Sequence, residues 1–171
     1  MDKKGLANKA FEEAKAFELR SGGCAQSVLF GILKTLGIKD EKVFMTATGF
    51  ADGVGLTGDG HCGALSGGVM AISYFFGRNY ENAGDITAQL KACMLAKRLH
   101  DEFVAKYGII RCADLQTKFM GRFHNLYDLE DVRAAIAADM PEKCSNLIGE
   151  AARMAINIIL EGKEEIEAQA S

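Results

Sequence analysis

Helical periodicity, punctuated by glycine rather than by proline, constrains this chain more than any other feature of its sequence. A single proline, Pro141, occurs in 171 residues, and no segment alternates apolar and polar side chains for long enough to read as a strand. Ala10, Ala14 and Phe17 recur at helical spacing between Leu6 and Arg20. A second helix is expected from about Cys24 to Leu36, stopped by Gly37. Asp40 is placed to cap a third, which carries Val43, Phe44, Ala47 and Ala51. Glycines then crowd positions 49, 53, 55, 58, 60, 63, 67 and 68, so residues 53–60 read as a loop and the helix resumes near Cys62. A long helix follows from Asn82 or Asp85 to Tyr107, ended by Gly108, with Ile86, Leu90, Cys93, Met94, Leu99, Phe103 and Tyr107 as its inner stripe. Shorter helices are expected from Cys112 to Met120 and from Asp128 onward, the latter with Asp131 favouring its positive end. The last helix is the clearest, with Leu147, Ile148, Ala151, Met154, Ala155, Ile158 and Ile159 on one face, and the tail "EGKEEIEAQAS" reads as a frayed, solvated end. The expected fold is all-α, an irregular multi-helix bundle forming a single domain over residues 1–171.

Composition narrows the setting. Apolar residues make up 49% and charged residues 25% of the chain, enough apolar material to bury a real core in one domain. A net charge of −3 gives no reason to expect nucleic acid or an anionic membrane as partner. The N-terminus "MDKKGLANKAFEEAKAFELR" is charged and amphipathic, without the apolar stretch of a signal peptide. No segment reaches the ~18–20 apolar residues of a membrane span. The expected location is cytoplasmic.

The cysteines carry the chemistry. There are five, Cys24, Cys62, Cys93, Cys112 and Cys144, and an odd number without a secretory leader argues against a disulfide framework. "SGGCAQSVLFG" and "GDGHCGALSGG" place Cys24 and Cys62 at helix starts after glycines. "YGIIRCADLQ" does the same for Cys112, and "DMPEKCSNLIGEA" puts Cys144 in the first turn or so of the last helix, with Pro141 at its entry. Free amides and the positive end of the helix dipole stabilise a thiolate there. Gly23 and Gly63 would let backbone amides come close to a sulfur or to a bound group. Cys93 lies mid-helix on the inner stripe and is expected in the core, the ordinary fate of a free cysteine.

The spacing names no cofactor. Cys24, Cys62, Cys112 and Cys144 follow one another at intervals of 38, 50 and 32 residues. No C-x-x-C pair is present, which removes zinc-ribbon, thioredoxin and c-type haem signatures, and clustered ferredoxin spacing is absent as well. Gly58, Gly60 and Gly63 satisfy G-x-G-x-x-G formally but lack the preceding strand of a dinucleotide site. His61, His100 and His124 are scattered; His61 adjoins Cys62 and reads as a solvated loop residue whose role the sequence leaves open. Phe119, Phe123, His124 and Tyr127 read as a packed turn between two helices.

Cys62-Gly63-Ala64-Leu65-Ser66-Gly67 is a full instance of C-G-A-x-x-G, with "GGCAQSVL" upstream and single cysteines at 112 and 144 downstream. In these features the chain resembles the C_GCAxxG_C_C family of small helical proteins described as redox-active, from about Phe11 to Leu160. The resemblance implies that Cys24, Cys62, Gly63, Ala64, Gly67, Cys112 and Cys144 form the signature, and it leaves Cys93 outside it. Two readings of the site stay open. In one, the four cysteines converge on a metal centre: four thiolates suit a 2Fe–2S iron–sulfur cluster, and zinc by ligand type, for electron transfer or redox sensing. In the other, the protein is a metal-free thiol–disulfide oxidoreductase with Cys62 as attacking nucleophile and a second cysteine resolving the mixed disulfide. Either would need a redox partner that the sequence does not name, and a homodimer is open to a protein of this size.

Overall fold

Helix boundaries follow local chemistry closely. The computed structural model describes residues 1–169. Helix α1 (Lys3–Ser21) begins where the Asp2 carboxylate accepts the Gly5 amide, and α2 (Cys24–Thr35) follows Gly23, whose φ of 93° is in the left-handed region. Asp40 caps α3 (Glu41–Thr46) by accepting the Val43 amide. That helix is shorter than its sequence suggests: it gives way to a 3-10 turn at Thr48–Phe50, leaving Ala47 fully buried and Ala51 in the turn beyond. Next come α4 (Gly63–Phe76), α5 (Leu90–Tyr107), α6 (Cys112–Met120), α7 (Leu129–Ala137) and α8 (Met140–Gln169). The Asp128 carboxylate accepts the amides of Glu130 and Asp131 at the start of α7. Among the described residues the only pairing of β type is an isolated bridge between His61 and Arg111, and the molecule is an irregular all-α bundle.

The bundle is organised around α8. Its Leu147, Ile148, Ala151, Ala152, Ala155, Ile156, Ile158 and Ile159 are buried against α1, α2, α4 and α5. Each such isoleucine contributes about 1.5–3 kcal/mol of apolar burial. Small residues set the spacing: Ala7, Ala10 and Ala14 of α1 are buried, and a Cβ at Gly31 of α2 would stand 2.6 Å from that of Ala14. At that separation only a hydrogen fits.

Two expectations from the sequence need correction. Cys93 is exposed, not core, and Ile86, Leu90 and Met94 are exposed with it. The buried stripe of α5 is Ala92, Leu95, Leu99, Phe103 and Tyr107. Residues 86–89 form a 3-10 turn capped by Asp85, and the covered face takes its register from α4 and α8: Leu99 meets Gly68, and Leu95 meets Gly162. The tail is helical through Gln169, the last described residue, rather than frayed; Glu164 and Glu165 are exposed and pair with Lys3 and Lys91. Ala170 and Ser171 lie outside the described residues. No helix among the described residues is long and apolar enough to cross a membrane.

Candidate functional site

The glycine-crowded segment folds into a left-handed turn. Asp52, Gly53, Val54, Gly55 and Leu56 have successive φ values of 46°, 75°, 68°, 59° and 59°. Three of these residues carry a Cβ, and left-handed backbone costs an L-residue about 1–2 kcal/mol. The turn is tied internally by Leu56 N–H to Ala51 O (3.1 Å), Gly58 N–H to Asp52 O (2.9 Å) and Gly60 N–H to Gly53 O (2.9 Å). It then docks on the start of α6: the amides of Cys112 and Ala113 donate to Gly60 O (3.0 Å) and Gly58 O (2.9 Å), and Cys62 N–H donates to Ile110 O (2.7 Å). These main-chain bonds bring Cys62 and Cys112, fifty residues apart in sequence, to the same place.

Cys24 arrives by a different route. Helix α4 lies directly on the start of α2 because Gly63 and Gly67, four residues apart on one face, have no side chain. A Cβ at Gly63 would overlap the Cys24 sulfur, and one at Gly67 would overlap the Ala25 carbonyl. Ala64, between them, is fully buried. Cys144 comes from the core helix, as the fifth residue of α8. That is one turn deeper than a helix-start position, so the dipole argument fits it least.

Cys24, Cys62, Cys112 and Cys144 line one cavity of about 320 Å³, together with Glu18, Gly23, Asp52 and Gln116 and an apolar wall that includes Leu115, Phe119, Leu147 and Ile148. Gly63, Ala64 and Gly67 are not among its lining residues; their contacts hold α4 on α2. His61 is exposed at the bridge and does not line the cavity.

Electrostatics in the cavity run against free thiolates. Burial pushes the thiols of Cys24 and Cys144 up to about 12, and raises those of Cys62 and Cys112 as well. The Ala64 and Leu65 amides favour the Cys62 thiolate, as its helix-start position led one to expect, but desolvation outweighs them. Burial likewise raises the carboxyls of Glu18 and Asp52. Among the described residues no lysine, arginine or histidine lines the cavity to offset these groups.

Asp52 is the residue that sequence reasoning missed. Its amide donates to Cys24 Sγ at 3.4 Å, and its Oδ1 accepts from the Cys112 thiol at 3.0 Å and from Gln116 Nε2 at 2.5 Å. Oδ2 is buried without a hydrogen-bond partner. Gln116 Oε1 in turn accepts the amide of His124, a residue only 3% exposed in the packed turn after α6. Gln116 lies four residues after Cys112, hence on its helix face, which is the one signal the sequence offered. Asp52 sits in a non-periodic loop and gave none. Glu18, which accepts from Ser27 Oγ at 2.6 Å, lies in the charged, amphipathic N-terminal helix and drew no separate notice.

Among the described residues, no three Cys, His, Asp or Glu side chains are gathered as one metal ion would require. A tetrahedral zinc site therefore finds no support. The donor chemistry fits a larger group: four sulfurs around a cavity that exceeds a single ion, with acidic neighbours and no cation in its lining. No curated protein and no solved structure matches the chain. A family model described as "Putative redox-active protein (C_GCAxxG_C_C)" does match, over residues 23–158, from the glycine before Cys24 to beyond Cys144, and the chain belongs to that family.

Proposed function

We propose that Cys24, Cys62, Cys112 and Cys144 hold an iron–sulfur cluster, and that the protein transfers electrons or senses redox state through it. One observation carries the reading: four thiols and two carboxyls line a single cavity that has, among the described residues, no basic side chain in its lining. A thiol that acts as a free nucleophile is ordinarily activated by a cation, a histidine or a helix amide strong enough to lower its pKa. Here burial wins over the amides. A bound metal centre supplies the missing positive charge, and with iron and sulfide it supplies reversible one-electron chemistry. The chain's own part is to present sulfurs, keep water out with the wall of Leu115, Phe119, Leu147 and Ile148, and donate the Asp52 amide to Cys24 Sγ. Each cysteine must give up its proton to become a ligand, so loading is coupled to proton release.

The test is protein purified without air, with a visible absorption spectrum before and after dithionite and an assay of iron and acid-labile sulfide. Broad bands that bleach, with iron and sulfide present and lost together when any one of the four cysteines becomes serine, support the cluster. A colourless, iron-free protein that takes up neither element on anaerobic reconstitution refutes it.

A second reading, thiol–disulfide exchange, draws on the Cys112 thiol's hydrogen bond to Asp52 Oδ1, a base in contact with a sulfur. It places the attacking sulfur at Cys112, since no such base touches Cys62. A trapped mixed disulfide on Cys112 in an iron-free protein would favour it.

A further inference from the structure

A second, larger cavity shares no lining residue with the cysteine site. It measures about 630 Å³, against about 320 Å³ at the cysteines, and so falls in the range of roughly 300–1,000 Å³ in which proteins hold small organic ligands. Phe17 of α1, Phe30 and Leu33 of α2, Ile38 and Lys39 of the connection, and Phe44 of α3 line it. The three phenyl rings pack on one another rather than into the core. Phe17 and Phe30 have ring centroids 4.3 Å apart, and Phe44 stands steeply inclined to both, at 5.8 and 6.4 Å. None of the three belongs to the buried core cluster, and each is half-buried. Aromatic rings left at a concave surface mark a place where another molecule covers them.

Charge says what kind of molecule that is. The chain is −3 overall, yet the charge left uncompensated here is positive. Lys34, 5.3 Å from the centre of the Phe30 ring, is spent on Glu13. Arg20 lies 5.1 Å over the Phe17 ring, and Lys39 lines the cavity; among the described residues neither has a carboxylate partner. Of the two carboxylates in the lining, Asp40 is committed to the Val43 amide at 3.1 Å. Glu41 stands in the first turn of α3, where free amides offset its charge. What remains is an aromatic wall with Arg20 and Lys39 beside it. A flat ring bearing one acidic group complements both features. An aliphatic chain would cover the wall but forgo the stacked and edge-to-face contacts that rings make with rings.

We propose that this cavity binds a small aromatic monoanion, of the aromatic carboxylate class, with its ring against Phe17, Phe30 and Phe44 and its acidic group towards Lys39 and Arg20. Binding is non-covalent, and the site does not depend on what the cysteines hold.

The test is isothermal titration calorimetry of the full chain, purified without air, with 2-naphthoate at neutral pH. Two comparison ligands are run beside it: 2-naphthol, the same ring without the charge, and decanoate, an aliphatic anion of similar size. Lys39→Gln and Phe44→Leu are titrated in parallel after a circular dichroism check. Lys39 is exposed, so Lys39→Gln guards against a folding failure of Phe44→Leu. The expected Kd for 2-naphthoate is about 0.1–1 mM, the range open to a ligand of so few atoms, and tighter than for either comparison ligand. Lys39→Gln should weaken 2-naphthoate about two- to fivefold, the worth of one exposed charge contact, and leave 2-naphthol unchanged. Phe44→Leu should weaken both ring ligands about two- to tenfold. No binding of 2-naphthoate up to about 2 mM overturns the proposal. Decanoate bound as tightly as 2-naphthoate overturns the aromatic class, and 2-naphthol bound as tightly overturns the anionic one. A 2-naphthoate affinity unchanged in both variants puts the ligand elsewhere, the cysteine cavity included, and overturns this site.

Discussion

Gly67→Ala probes the contact that seats α4 on the start of α2, and its cost can be worked out before it is measured. A Cβ at Gly67 would lie 3.0 Å from the Ala25 carbonyl carbon and Cα and closer still to its oxygen, whereas ordinary contact begins near 3.4 Å. The obstacle is backbone on both sides, so no rotamer change relieves it, and α4 must withdraw by roughly 0.5–1 Å, a gap that forfeits a quarter to a half of each dispersion contact it opens. Overpacking of this kind costs about 1–3 kcal/mol, and a rigid obstacle puts it at the upper end, while alanine returns about 1 kcal/mol of helix propensity, leaving a net loss of roughly 2 kcal/mol. For a chain of this size that is a fall in Tm of about 4–8 °C. Gly49→Ala is the control, because nothing stands within 4 Å of its added carbon, and it should stay within about 0.5 kcal/mol of wild type. Thermal and urea unfolding followed by circular dichroism measure both. Because Ala25 follows Cys24 directly, the same variant should also lower the iron retained on reconstitution. A Gly67→Ala protein that melts at or above the wild-type temperature would refute the close seating of α4 on α2, and with it the account of how Cys24 reaches the cavity.

Other outcomes follow from burial. In the reduced, metal-free protein at pH 7.5, iodoacetamide should alkylate exposed Cys93 at least about tenfold faster than Cys24, Cys62, Cys112 or Cys144; peptide mass spectrometry over a time course reads the order, and Cys62 labelled as fast as Cys93 would contradict the buried site. The pH dependence has a definite sign. Thiols of the unfolded chain ionise near 9.0, while burial holds Cys24 and Cys144 protonated up to about 12, so the unfolded state loses protons first and stability falls between those values. Urea midpoints from pH 8 to 10.5 should decline, more steeply in wild type than in a Cys24→Ala, Cys144→Ala double variant; equal slopes would mean that these thiols do not contribute.

What the sequence made legible was whatever is local or periodic. Asp40, Asp85 and Asp128 cap helical turns because a short acceptor at that offset meets free amides. The α8 stripe follows from spacing alone, and three of the four signature cysteines sit at the start or cap of a helix, as their flanking glycine or chain context implied. What failed was whatever depends on a neighbour. The register of α5 is set by Gly68 and Gly162, which let Leu99 and Leu95 in, and nothing in residues 86–107 alone distinguishes the stripe through Cys93 from the one through Leu95. Thiol acidity was misjudged for the same reason: the helix end is visible in sequence, but the desolvation that overrides it comes from residues far along the chain. Asp52 was invisible because its importance lies in three contacts, made by its amide and its Oδ1, to residues 28, 60 and 64 positions away.

The loop between α3 and α4 ties most of the site together. Cys62 ends it, Cys112 is bonded to it through Gly60 and Asp52, and Cys24 accepts a hydrogen bond from it, while Cys144 alone belongs to the core helix. Three of the four sulfurs are therefore referenced to one left-handed turn, and the fourth to α8. The turn also reaches the surface, where Phe50 and Val54 are 39% and 49% exposed and Tyr127 Oη donates to Gly55 O. One set of hydrogen bonds holds the turn left-handed, and a second set, made by Asp52, Gly58 and Gly60 of the same turn, positions Cys24 and Cys112.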